Sequence, residues 1–285
     1  MSTSGAYRFF LTVISGMLTA IPFLFSGLSF AAWVSLIPFF ALIIADAAKG
    51  KRKLSGAYKQ GLLFFMSYYL VVYHWFLFLY PLEFTGMSRG SAVCVVLVAW
   101  FGLSLLQASV FALLPLFFTL IFRNGAVRKH PILPPLVLSS LWIVFEWAQT
   151  LTWAGVPWGR LSVGQYSNLA VIQSASLLGS YFISFIIVLV NALIAYAVIE
   201  KRGRAALCIT AAFVFAANIL YGGAALHMNN FDEGESVRAA ALQGNISSHE
   251  KWTAASRNET LRIYTQLTEK AARDGAALVV WLETT

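Results

Sequence analysis

The stretch "AALVVWLETT", from Ala276 to Thr285, decides the fold of the last part of the chain. Its apolar run with two valines is typical of a short buried strand. Residues 253–274 before it have the apolar spacing of an amphipathic helix, and Gly275 is a suitable C-cap. The residues on or near one face of this helix are Leu261, Tyr264, Leu267 and Ala271. The sequence therefore predicts a helix that leads directly into a strand.

A second predicted strand lies before the helix, in "SVRAAALQGNI" from Ser236 to Ile246. Its small apolar residues end at Gly244-Asn245, a turn signal. The order β-α-β predicts a parallel strand pair with a crossover helix. Two strands and one helix in about 50 residues bury too little surface to be stable alone. We therefore expect the opening of a larger α/β domain that continues beyond residue 285.

The rest of the chain has the composition of a polytopic membrane protein. Of the 285 residues, 59% are hydrophobic and 11% are charged, against about 45–50% and about 25% in soluble domains. The apolar runs predict about seven membrane spans. These spans are residues 8–25, 29–46, 60–80, 92–122, 135–153, 176–199 and 205–222. We expect a helical bundle over residues 1–225 and the α/β fragment over 226–285.

Basic residues alternate between the loops and predict the orientation. The basic side carries Arg8, Lys49, Lys51, Arg52, Lys53, Lys59, Arg123, Arg128, Lys129, Lys201, Arg202 and Arg204. The opposite loops carry only Arg89 and Arg160. This asymmetry predicts a cytoplasmic N-terminus and an extracytoplasmic tail. The net charge of +8 thus serves membrane orientation, and we expect no binding of nucleic acid.

The two cysteines, Cys94 and Cys208, both lie inside apolar runs. This placement argues against a disulfide framework and against a zinc site. We expect no metal and no diffusible cofactor.

Two groups of motifs resemble the apolipoprotein N-acyltransferase family. In the tail they are "AALQGNISSHEKW" (residues 240–252) and "ALVVWLETT" (residues 277–285), which look like the opening of a nitrilase-type (CN hydrolase) domain. In the membrane half they are Glu146-Trp147, Gly155 to Trp158, Gln165, Gln173, Gly179 to Phe185 and Asn191. Leu282 departs from the family pattern, which has proline before the glutamate.

The resemblance implies an acyltransferase of the bacterial inner membrane that matures lipoproteins. A phospholipid would be the acyl donor, and the N-terminal amine of a diacylglyceryl-cysteine the acceptor. The resemblance makes Glu283 the catalytic general base. It also implies substrate binding by Gln243, Trp252, Glu146, Trp158 and Tyr181. The family's catalytic lysine and cysteine come later in the domain, so we expect this chain to be C-terminally truncated and inactive. We also expect a monomer.

Several alternatives stay open from the sequence alone. An ionisable residue such as Glu146 in a span marks a functional site, but it equally fits a pair with Arg160 or a protonated group in the bundle. Trp153, Trp158 and Tyr166 fit an aromatic belt or a lipid entrance. Gln165 and Gln173 fit interhelical hydrogen bonds. The whole protein is alternatively a non-enzymatic lipid- or partner-binding protein, or another membrane-anchored nitrilase-like acyltransferase or amidase.

Overall fold

The computed structural model describes residues 5–50, 53–82, 85–151, 156–201, 203–228, 236–246 and 254–281. The helices are α1 (Gly5–Leu24), α2 (Ile37–Lys49), α3 (Leu54–Val72), α4 (Arg89–Phe111), α5 (Leu113–Phe122), α6 (Gly125–Lys129), α7 (Leu133–Ala148), α8 (Leu169–Ile172), α9 (Ala175–Leu178), α10 (Ser180–Ile199), α11 (Arg204–Met228) and α12 (Ala254–Arg273). The strands are β1 (Ala239–Leu242) and β2 (Leu278–Trp281). Short 3-10 helices cover Ser26–Trp33, His74–Leu79, Pro157–Gly159 and Val163–Gln165.

Among the residues that the structure describes, five helical stretches are long and apolar enough to cross a membrane. They are Gly5–Leu24, Ser26–Lys49, Arg89–Phe122, Ser180–Ile199 and Arg204–Met228. The other two predicted spans fall on α3 and α7. Helix α7 has 16 residues, about 24 Å at 1.5 Å per residue, which is shorter than a hydrocarbon core of about 30 Å. The chain is therefore a helical membrane protein with five candidate spans.

Proline and glycine set the ends of several helices. Pro38 lies in the first turn of α2, where its missing N–H costs no helical hydrogen bond. The same helix ends at Gly50, which has a φ of 64°, a left-handed conformation that glycine adopts without strain. Pro134 and Pro135 open α7 in the same way.

The chain divides into two compact units, one of residues 1–76 and 98–228 and one of residues 77–97 and 229–285. In the first unit α10 is central, since it packs against α2, α7 and α11. Buried aromatic rings fill the space between the helices. Phe39 stacks on Phe64 with ring centroids 4.0 Å apart, and Phe65 lies 5.0 Å from Phe111 and 5.5 Å from Trp142.

Helix α8 approaches α11 closely at Gly222. A Cβ atom added at Gly222 would lie 1.7 Å from the carbonyl oxygen of Ala170, whereas a Cβ at Gly223 would meet nothing within 4 Å. The side chain of Asn218, one helical turn earlier, donates to the Val171 carbonyl at 3.4 Å. Glycine at 222 therefore permits the contact between these two helices.

We expect Gly222→Ala to destabilise the protein because α8 must move away from α11. Such overpacking costs about 1–3 kcal/mol, which should appear as a lower thermal unfolding midpoint in detergent micelles. The matched control is Gly223→Ala, whose added methyl group has open space and improves helix propensity. Equal midpoints for the two variants would contradict the contact.

In the second unit, the tail has the predicted β-α-β order. β1 and β2 are parallel neighbours, with Ala239 opposite Leu278 and Leu242 opposite Trp281. Helix α12 connects them and buries Tyr264 and Ala271 against Leu242. Gly275 ends the helix with a φ of 82°, which confirms the predicted C-cap. The predicted parallel pair with a crossover helix is confirmed.

Specific hydrogen bonds hold the tail elements together. The backbone N–H of Gly244 donates to the Tyr264 hydroxyl at 3.2 Å, and Trp281 Nε1 donates to Thr268 Oγ1 at 3.0 Å. The Tyr264 and Trp281 rings lie 5.1 Å apart. Leu261 was also expected on the packed face of α12, but it is 45% exposed, because the two short strands do not extend far enough to cover it.

Candidate functional site

Residues 156–178 form a compact segment of 3-10 turns and short helices between α7 and α10. Polar side chains of the bundle form hydrogen bonds with backbone groups of this segment. The Tyr68 hydroxyl of α3 donates to the Gly159 carbonyl at 2.6 Å, and the Ser162 N–H donates to Ser184 Oγ of α10 at 3.0 Å. The 156–178 segment is thus fixed from two helices at once.

Glu146 is the third such contact. It lies on α7 and is 1% exposed. Its Oε1 accepts from Trp142 Nε1 at 2.9 Å and from the Leu161 N–H at 3.0 Å. Its Oε2 accepts no hydrogen bond of standard geometry among the described residues, and the Ser184 side chain of α10 interacts with the same carboxyl group. The carboxyl group therefore joins α7 to the 156–178 segment as a buried acceptor.

Arg160, a predicted partner of Glu146, interacts electrostatically with that carboxyl group, and its side chain also contacts α10. Its guanidinium lies over the Tyr181 ring at 5.3 Å, and Nη1 donates to Ser180 Oγ at 3.4 Å. Cation–π contacts of this kind stabilise a partly desolvated guanidinium. Tyr181, a predicted substrate-binding residue, is therefore half-buried beneath a cation.

Gln165 and Asn191 bind the 3-10 helix Ser26–Trp33. Gln165 Nε2 donates to the Ser29 carbonyl at 2.8 Å, and its Oε1 accepts from Trp33 Nε1 at 3.2 Å. Asn191 Nδ2 donates to the Ala32 carbonyl at 2.9 Å, and its Oδ1 accepts from the Leu36 N–H at 3.0 Å. Irregular backbone at membrane depth requires such partners.

The predicted hydrogen bonding between elements is confirmed for Gln165. For Gln173 it is wrong: Nε2 of Gln173 donates to the Leu169 carbonyl at 3.2 Å, one turn earlier in the chain. The sequence reasoning also missed a buried chain in which Gln149 Nε2 donates to the Tyr69 hydroxyl at 2.9 Å and to Gln107 Oε1 at 2.8 Å. Gln149 lies three residues after Glu146, a spacing that puts two polar side chains on the same face of an apolar helix and could have indicated this contact.

Trp158 lies on the surface of the 156–178 segment and is 50% exposed. Its ring makes edge contacts with Trp75 at 5.0 Å and with Tyr73 at 6.5 Å. Tyr166 is also exposed. Trp153 lies outside the described residues. An exposed aromatic pair is the arrangement expected where a membrane protein contacts the interfacial region of the bilayer.

In the tail, Gln243 follows β1 directly and is exposed. Since Leu242 pairs with Trp281, both parallel strands end at the same edge of the sheet. Ligands of α/β folds bind at the carboxyl ends of parallel strands. Glu283 is two residues beyond Trp281, and Trp252 follows β1 by ten residues; both lie outside the described residues. Among the described residues, no group of three His, Cys, Asp or Glu side chains is placed to hold a metal ion.

Comparison with known proteins identifies the family. The family model for the apolipoprotein N-acyltransferase N-terminal domain matches residues 15–193, more than half of the chain. The chain belongs to the apolipoprotein N-acyltransferase family. The family match includes Glu146, Gln165 and Asn191, so the polar contacts around the 156–178 segment lie inside the family domain.

Individual relatives extend the likeness into the tail. The chain is similar to the apolipoprotein N-acyltransferase of Geobacter metallireducens, at 29% identity over 96% of this chain and 50% of the relative. The protein of the same name from Gloeobacter violaceus is 31% identical over 91% of this chain and 47% of the relative. That from Thermotoga maritima is 26% identical over 93% and 49%. The chain spans about half the length of the curated relatives it matches.

Proposed function

We propose that this chain supplies the membrane bundle and the first β-α-β of the catalytic domain of an apolipoprotein N-acyltransferase. The reaction is transfer of a phospholipid acyl chain to the N-terminal amine of a diacylglyceryl-cysteine in a bacterial lipoprotein. The single observation that carries the proposal is the parallel β1–β2 pair of this family member. It brings both strand ends to one edge of the sheet, which is where α/β folds bind their ligands.

In the proposed mechanism Glu283 is the general base. It accepts the proton of a cysteine thiol, the thiolate attacks a phospholipid ester to form a thioester, and the protonated base returns the proton to the departing glycerol oxygen of the lysophospholipid. The lipoprotein amine then attacks the thioester, which forms the amide, and the amine proton passes through the base to the released cysteine sulfur. Hydrogen-bond donors stabilise the oxyanion of each tetrahedral intermediate. Gln243 and Trp252 follow β1, and we assign them to substrate binding at the same sheet edge.

We assign Glu146, Trp158 and Tyr181 to the membrane side of substrate binding. Trp158 is half-exposed, whereas Glu146 and Tyr181 fix the 156–178 segment that carries it. The segment presents Trp158 as a rigid aromatic surface, which is the property needed to receive a lipid at the interface.

We further propose a bacterial inner-membrane protein with about seven crossings and an extracytoplasmic catalytic domain. We take the five candidate spans together with α3 and α7 as crossings, so that the basic loops after α2, α5 and α10 share one side. The positive-inside rule makes that side cytoplasmic. The proposed boundary between the bundle and the nitrilase-like domain is at residues 225–226.

An acylation assay tests the proposed function. The complete reading frame that contains this chain is purified in detergent and given phosphatidylethanolamine and a diacylglyceryl-cysteine peptide. We expect one acyl chain to be added to the peptide amine, detected by mass. A peptide that stays diacylated would overturn the assignment in favour of a non-enzymatic lipid-binding protein.

We expect the 285 residues alone to give no transfer in the same assay. Cys94 lies in α4 and Cys208 in α11, both within apolar helices, and the family resemblance assigns the nucleophile to a cysteine later in the catalytic domain. Transfer by the 285-residue chain would contradict the proposed nucleophile.

A further inference from the structure

A cleft of about 370 Å³ lies between α10 and α11 and is bounded at one end by the 156–178 segment. Its walls are almost entirely apolar. The main apolar lining residues are Phe182, Phe185, Leu189, Phe213, Val214 and Leu177. Clefts of about 300–1,000 Å³ with apolar walls and a few polar groups are typical of small-molecule sites.

The cleft is long enough to hold about two thirds of an acyl chain that spans one leaflet. Phe182 and Leu189 line it seven residues apart on α10, about 10 Å along the helix. A leaflet contributes about 15 Å of hydrocarbon, half of the membrane core. The volume is at the lower end of the range for ligand sites, which favours a single chain over a pair.

Three polar side chains line the end of the cleft where α11 meets the 156–178 segment: Ser174, Asn218 and Tyr221. Two of them have described partners that satisfy them. Ser174 Oγ donates to the Val171 carbonyl at 3.2 Å, and the Tyr221 hydroxyl lies 2.9 Å from Ser176 Oγ. Hydrogen bonds therefore hold the Ser174 and Tyr221 side chains in place at this end of the cleft.

Asn218 is different because it has one unsatisfied atom. The side chain is 7% exposed, and its Nδ2 donates to the Val171 carbonyl. Its Oδ1 is buried with no donor among the described residues. A buried acceptor without a donor is unfavourable. A ligand in this cleft therefore binds more tightly if it carries a hydrogen-bond donor next to its acyl chain, within reach of Asn218 Oδ1.

We propose that the cleft binds a monoacyl glycerophospholipid, with its acyl chain between α10 and α11 and its free glycerol hydroxyl donating to Asn218 Oδ1. At the glycerol level a diacyl phospholipid offers only ester oxygens, which are acceptors and leave Oδ1 unpaired. The proposal rests on the proposed function, since removal of one acyl chain from a phospholipid generates this hydroxyl. The cleft is thus a binding site for the lysophospholipid product.

Lipid binding tests this proposal without any acyl transfer. The 285-residue chain is purified in detergent, and binding of palmitoyl lysophosphatidylethanolamine is measured by native mass spectrometry. Competing probes are phosphatidylethanolamine and a lysolipid whose glycerol hydroxyl is methylated. We expect the lysolipid to bind about ten-fold tighter than either probe, as for one hydrogen bond. Equal affinity for the three lipids would overturn the proposal.

Variants locate the bound lipid. Asn218→Leu should lower lysolipid affinity about ten-fold, to the level of the methylated analogue, and Ala217→Trp should reduce binding of all three lipids by filling the cleft. The matched control is Leu220→Ala, which changes an exposed residue of α11 and should bind as the parent chain does. Unchanged affinity in Asn218→Leu or Ala217→Trp would place the lipid elsewhere. Failure of the acylation assay alone would leave this binding result intact.

Discussion

Glu283→Gln in the complete reading frame should abolish acyl transfer to the diacylglyceryl peptide. The amide has nearly the shape of the carboxylate but cannot accept the thiol proton at neutral pH. Loss of a general base lowers a rate by about 10²–10⁴-fold. The rate of peptide acylation, measured by mass spectrometry at saturating phospholipid, checks this expectation. Formation of the thioester should fail in the same variant, because the thiolate attack precedes it.

The matched control for Glu283 is Glu259→Gln on α12. Glu259 is exposed, and hydrogen bonds from Arg262, at 2.8 and 2.5 Å, hold the pKa of its carboxyl below the ordinary value. A carboxyl with a lowered pKa is a poor base at neutral pH. The Glu259 variant should therefore retain the parent rate. A Glu283→Gln enzyme that acylates the peptide as fast as the control would rule out Glu283 as the base.

Glu146→Ala should destabilise the membrane bundle by about 2–5 kcal/mol. The substitution removes the acceptor of two buried donors, Trp142 Nε1 and the Leu161 N–H. Each unsatisfied buried donor costs about 1–3 kcal/mol, and the missing side chain leaves a cavity. The thermal unfolding midpoint, followed by tryptophan fluorescence in detergent micelles, should fall accordingly.

Glu146→Gln separates an acceptor role from a role of the charge. The glutamine side chain keeps an oxygen for Trp142 and Leu161, and its amide nitrogen takes the place of Oε2, where it can donate to the Ser184 hydroxyl. We expect a loss of less than about 1 kcal/mol. If the glutamine variant were as unstable as the alanine variant, the charge would be essential, and a pair with Arg160 would be the better explanation.

The tail shows what local sequence signals can predict. The helix, its cap at Gly275 and both strands depend on periodicity and turn chemistry within about 20 residues, and the structure confirms them. The family resemblance added the roles of Gln243 and Glu283, which strand periodicity alone does not indicate.

The membrane half shows where sequence patterns stop. Hydropathy did not separate α3, which ends at Val72, from the 3-10 helix His74–Leu79 that follows it, because the apolar run continues across both. The Trp142–Glu146 contact was accessible, since residues four apart share a helix face. The contact with the Leu161 N–H could not be predicted, because every residue except proline has a backbone N–H. The residue type therefore does not show which N–H binds Glu146.

The Asn191 contacts also impose an order on biosynthesis. Its side chain completes the hydrogen bonding of Ala32 and Leu36, and the latter is 155 residues earlier in the chain. At about 5–20 residues per second, the ribosome needs about 8–30 s to make the intervening polypeptide. During that interval the first two spans are in the membrane without the amide that satisfies them. The newly made N-terminal segment therefore lacks this hydrogen-bond partner until α10 is synthesised.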